Sequence, residues 1–158
     1  EAIQRAGRLG DAWGILPSWD PIPNLRAQAD QYRESAAEHG RKRKVVLMRD
    51  GWVAPTRKEA EETFGPLWVK EMLFYWRWNL LSPNEEFTSE ADFTVEKLSK
   101  YLVMGSPSEC IEQLEMWRDV VGADYIIMRF RLPLGPAPEH VVACIRQFGA
   151  EVIPHFKK

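Results

Sequence analysis

Two guanidinium groups stand one residue apart at Arg129 and Arg131, directly after the apolar run 125–128, Tyr-Ile-Ile-Met. A run that apolar reads as a strand covered on both faces, and alternation along it puts positions 129 and 131 on one side. Guanidinium groups there can hold a phosphate or another anion by bidentate, charge-assisted hydrogen bonds. Alternatively, each pairs with a neighbouring carboxylate and only fixes the loop that follows. Asp50 poses a related question, because it interrupts the apolar strand 45–53 beside Arg49. A charged group on a buried strand must be paired or face a cavity. Met48 and Asp50 share one side and Arg49 takes the other, so Asp50 faces either a pocket or an ion pair with an outer helix.

Aromatic residues supply the next candidates. Trp13 and Trp19 flank Pro17 and Ser18 at the end of a short apolar run, where rings can wall a flat ligand or pack in the core. Phe74, Tyr75, Trp76 and Trp78 form a cluster that suits either a mobile cover or a helix contact. His39, His140 and His155 are scattered, and no His, Cys and carboxylate set has metal-ligand spacing. Neither Cys110 nor Cys144 has the surroundings of a nucleophile. No general acid or base is identifiable, and the catalytic residues stay unassigned.

These residues need elements to position them. Ile3, Ala6 and Leu9 share a helical face that stops at Gly10, and 12–18 is a short strand. Asn24 is an N-cap candidate for a helix carrying Leu25, Ala29, Tyr32 and Ala36. Thr56 with Glu59 makes a capping box for a helix with Ala60, Phe64, Leu67 and Trp68 on its apolar stripe, and Pro66 predicts a kink or break. The stretch 65–104 then reads as an irregular insertion. Ser106, Pro107 and Glu109 open another helix, with Cys110, Leu114, Trp117 and Val121 on its buried face. Free N–H groups at that start can bind an anion, but capping alone explains the pattern. Val141, Ile145, Phe148 and Val152 mark a last helix. Three apolar strands alternating with amphipathic helices predict a parallel α/β fold, either doubly wound or a barrel. No glycine-rich phosphate fingerprint decides between them.

Composition sets the outer bounds. A chain of 158 residues with 45% apolar and 28% charged residues can bury one domain's core. A net charge of −2 gives no basic surplus for nucleic acid or an anionic membrane, and the basic run 41–44 reads as a solvated loop. Two isolated cysteines, and no apolar run long enough to span a bilayer, predict a soluble cytoplasmic protein.

Four stretches, in order, carry a family resemblance. They are AIQRAGRLGDAW (2–13), RDGWVAPTRKEA (49–60), YLVMGSPSECIEQL (101–114) and DYIIMRFRLPLGPAPEHVVACIRQFGAEVIPHF (124–156). The chain resembles the C-terminal half of the bacterial luciferase-like, flavin-dependent monooxygenases, with Ala12 where Gly is usual. The likeness implies the C-terminal portion of a (β/α)8 TIM barrel, with about three parallel strands and covering helices in one domain, 1–158. Such barrels need about 250 residues, so the expected remainder, the N-terminal half of the barrel, lies upstream of Glu1.

The resemblance also implies a function. A separate flavin reductase would supply reduced FMN, and one atom of oxygen would enter a small organic substrate. A deazaflavin carrying hydride without oxygen is the first alternative, and a non-catalytic flavin-binding or structural half-barrel the second. Arg129, Arg131, Asp50, Trp13 and Ser18 are the cofactor or substrate-pocket candidates. The alkanesulfonate-cleaving members carry Arg and His where Met48 and Asp50 stand, which argues against desulfonation. The family also admits a homodimer.

Overall fold

A computed structural model describes residues 1–15 and 20–157. In chain order its elements are α1 (Ala2–Leu9), β1 (Ala12–Ile15), α2 (Ile22–Glu38), β2 (Lys44–Val53), α3 (Arg57–Arg77), a 3-10 turn (Glu90–Asp92), α4 (Val95–Ser99), β3 (Val103–Gly105), α5 (Pro107–Val121), β4 (Tyr125–Arg129), α6 (Pro138–Gln147), a π-helical turn (Phe148–Val152) and α7 (Ile153–Phe156). The strands form one sheet in the order β1-β2-β3, with β4 also paired to β2. The β1–β2 and β2–β3 pairings are parallel. Among the described residues four strands are thus present where three were expected. The extra one, β3, is three residues long and fully buried, too short for alternation to reveal it.

The residues fall into two compact units, Glu1–Arg49 with Glu115–Ile127, and Asp50–Leu114 with Met128–Lys158. In the first unit Trp13 pairs with Val45 and Ile15 with Leu47 across β1 and β2. Leu25, Ala29, Tyr32 and Ala36 are fully buried on α2, the face that their spacing predicts. The helix begins at Ile22 rather than after Asn24, with Pro21 at the cap and Pro23 in the first turn, where a missing N–H costs nothing. A Cβ on Gly7 would lie 2.6 Å from the Ser35 Cβ, so glycine allows α1 to approach α2 closely. Asp124 ties down the start of β2, accepting from the Val45 N–H at 2.8 Å while its own N–H donates to the Val45 carbonyl at 2.9 Å.

In the second unit, Gly51 pairs with Val103. A Cβ there would lie 2.2 Å from the Val103 carbonyl oxygen and 2.6 Å from the Met128 methyl, so no other residue fits. α3 runs unbroken through Pro66, whose ring is exposed while Phe64, Trp68 and Met72 are buried. Burial on both sides of the proline holds the helix together despite the lost hydrogen bond. Part of the expected irregular stretch 65–104 is therefore helix, and the rest has its own aromatic packing. Phe87 lies 5.0 Å from Phe93 and 6.1 Å from Tyr101, and Trp76 lies 5.5 Å from Phe93 between ring centroids.

The last helical segment differs from its predicted face. Val141, Cys144, Phe148 and Val152 are buried, while Ile145 is 49% exposed. Pro154 cannot donate to the carbonyl four residues back, and the chain widens into a π turn just before it. Among the described residues no helix is long and apolar enough to cross a membrane.

Candidate functional site

The second unit contains one dense group of buried charge. Asp50, on β2, accepts three N–H bonds: from Trp68 Nε1 at 3.0 Å, from Arg129 Nη2 at 2.9 Å, and from Arg129 Nε. Arg129 ends β4, and its Nη2 also donates to Glu71 Oε1 at 3.0 Å. Trp68 and Glu71 lie three residues apart on α3, so both side chains leave the helix on the same face. One guanidinium therefore bridges two carboxylates that are almost wholly buried, while 35% of its own side chain remains exposed.

The electrostatics follow from that imbalance. Burial pushes the Glu71 carboxyl above its ordinary range; the Arg129 charge lowers it and the Asp50 charge raises it again. Burial, then the charge of Glu71, raises the neighbouring Tyr75 hydroxyl. Hydrogen bonds to Asp50 hold the Arg129 guanidinium firmly protonated, against the cost of its burial. Burial pushes Cys110 up to about 12 and Cys144 up to about 11, so neither thiol ionises readily. Cys144 instead caps the sheet, accepting from the Val53 N–H at 3.4 Å.

The sequence-predicted residues meet different fates. Asp50 and Arg129 come together, in the ion-pair arrangement rather than as separate pocket groups. Arg131 lies beyond the end of β4, exposed, and no carboxylate among the described residues pairs with it. Trp13, in the first unit, stacks on Tyr32 at 6.3 Å, and its buried Nε1 has no hydrogen-bond partner among the described residues. Ser18 and Trp19 lie outside the described residues. Arg49, in the first unit, is fully buried on the opposite side of the strand from Asp50, with its guanidinium carbon 4.0 Å from the Trp117 ring centre. At the start of α5 the anion-binding alternative gives way to capping, because the Ser106 N–H and hydroxyl both donate to Glu109 Oε2, at 2.8 and 2.7 Å. Among the described residues no group of three or more His, Cys, Asp or Glu could hold a metal.

Sequence reasoning missed Trp68 as a partner of Asp50 and Glu71 as a partner of Arg129. A signal existed: Phe64, Trp68 and Met72 define a buried face, and Glu71 is the carboxylate lying on it.

The model of a family described as luciferase-like monooxygenase matches residues 1–124. The chain belongs to that family. The match stops at Asp124, so all but the first residue of the closing segment 124–156, Arg129 and Arg131 included, lies beyond it. No curated protein matches the chain. Among solved structures, the monooxygenase RslO1 from Streptomyces bottropensis is 19% identical with a TM-score of 0.74, over 98% of this chain and 44% of that one. The oxygenating constituent of 3,6-diketocamphane monooxygenase from Pseudomonas putida, a type II Baeyer–Villiger enzyme solved with FMN, is 17% identical with a TM-score of 0.64 (96% and 45%). An F420-dependent secondary alcohol dehydrogenase, solved with an F420–acetone adduct, is 15% identical with a TM-score of 0.64 (99% and 46%). This luciferase-like chain thus spans less than half the length of each neighbour and has the fold of part of a luciferase-like barrel.

A flavin phosphate needs donors that are not already taken. Arg129 has only Nη1 left for it, since Nε and Nη2 are committed to carboxylates. Arg131 fits it better, being exposed and uncommitted among the described residues.

Proposed function

We propose that the protein is a flavin-dependent oxidoreductase of the monooxygenase type, using reduced FMN from a separate flavin reductase, and oxygen, to oxidise a small organic substrate. The observation that carries this reading is the family match over residues 1–124. In this chain Asp50, Glu71 and Trp68 fix Arg129 at the end of β4, and that rigidity sets where the following residues, Arg131 among them, emerge. Arg131 would hold the cofactor phosphate or an anionic substrate group. Reduced flavin, when bound, supplies the electrons for oxygen activation, and the protein orients it and excludes water.

A second reading replaces FMN by a deazaflavin that transfers hydride. It is favoured by the likeness to the F420-dependent dehydrogenase. Both readings are tested with the protein expressed from its complete gene. Anaerobic titration with reduced FMN and with reduced deazaflavin, followed by oxygen uptake in the presence of a reductase, separates them. Saturable FMN binding with oxygen uptake supports the first reading. Deazaflavin binding alone supports the second, and binding of neither overturns both.

A further inference from the structure

Asp50 and Glu71 compete for one guanidinium, and their hydrogen bonds are unequally shared. Asp50 receives three N–H donors. Glu71 receives one from Arg129, on Oε1, and a hydrogen bond from the Tyr75 hydroxyl, while its buried Oε2 has no hydrogen-bond partner among the described residues. A carboxylate 5% exposed, with one oxygen left bare, is the poorer host for negative charge. We propose that Glu71 is held as the neutral acid inside this cluster, and that its ionisation on raising the pH releases a latch tying α3 to β2 and β4.

The groups facing Glu71 are Arg129 from β4, Asp50 from β2, and Tyr75 one turn along α3. With Glu71 neutral, the cluster holds one positive and one negative charge. Ionisation gives its proton to solvent and leaves two buried carboxylates on one guanidinium, with Asp50 and Glu71 repelling. Burial, which opposes the charged form, acts in the same direction. A carboxyl raised in the folded state gives stability that is full below its ordinary value of 4.5 and is lost as pH rises through the raised value. This inference does not depend on the flavin reading.

The experiment uses the protein from its complete gene, carrying carbon-13 glutamate. At mildly acidic pH, above the ordinary value of 4.5, its infrared spectrum is expected to contain the carbonyl band of a neutral glutamic acid, lost as the pH is raised and missing from Glu71→Gln. Absence, at that pH, of any such band that Glu71→Gln removes overturns the neutral acid. Over the same titration, amide exchange in residues 67–77, corrected for its intrinsic pH dependence, is expected to quicken as the band disappears. Loss of the band with unchanged exchange overturns the latch. Wild-type stability should also fall relative to Glu71→Gln as pH rises above about 4.5; a gap that is constant or moves the other way contradicts the proposal. Should Glu71→Gln not fold, the wild-type band and exchange decide the matter.

Discussion

At Asp50 a carboxylate accepts three N–H bonds while only 3% exposed, so its removal strands the guanidinium that it neutralises. Breaking a buried pair by deleting one partner costs about 3–5 kcal/mol. With 35% of the Arg129 side chain in solvent, screening brings the cost below that range, and Asp50→Ala is expected to lose about 2–3 kcal/mol. Urea unfolding measures it, and a loss below about 1 kcal/mol would mean that Asp50 is not the anchor. Arg129→Lys should fall between wild type and Asp50→Ala, since an ammonium keeps the charge but cannot reproduce the planar fork. Arg131→Ala belongs to a different class. Exposed and unpaired, it should leave stability within about 0.5 kcal/mol of wild type. It should weaken reduced FMN binding about tenfold or more, with riboflavin binding, which has no phosphate to lose, unchanged. Equal losses for the two ligands would remove Arg131 from the phosphate. The sequence made Arg129 and Arg131 equivalent by alternation. Only the coordinates separate them, because the carboxylates that claim Arg129 come from residues 79 and 58 positions away in the chain.

Elements are stabilised at their ends and at their closest approaches. Thr56 Oγ1 accepts from the Glu59 N–H at 3.2 Å and donates to Glu59 Oε1 at 2.9 Å, so Thr56→Ala should cost about 1 kcal/mol through α3. At the start of α5, burial pushes Glu109 up, but the Ser106 donors and Arg57 outweigh it and leave the carboxyl lowered. A lowered carboxyl gives stability that is present above its ordinary value and lost as pH falls through the folded value. Ser106→Ala is therefore expected to flatten the acid limb of the stability profile, and an unchanged limb would contradict this. Gly65 lies on the buried face of α3, where an added Cβ would sit 2.8 Å from both Val95 methyl carbons. Gly65→Ala should destabilise by about 1–3 kcal/mol despite its better helix propensity, with Val95→Ala recovering part of the loss. Stabilisation instead would mean that α3 and α4 can separate. Both capping boxes and the α2 face were legible because they depend on spacings of three and four. Helix continuity across Pro66 was not, because distant burial decides it. β3 was not either, since three buried residues carry no period.

For the molecule as a whole, family and fold class were readable from four short motifs in a fixed order, and the first three of them lie within the family match. The fourth, 124–156, contains the residues on which the chemistry was expected to rest, and all but its first residue lies outside that match. What this luciferase-like chain binds is therefore the central question. The most direct measurement is anaerobic equilibrium binding of reduced FMN, and separately of a reduced deazaflavin, to the protein expressed from its complete gene. Saturable, one-to-one binding of reduced FMN, tighter than that of the oxidised form, is expected. Binding of neither cofactor would contradict it.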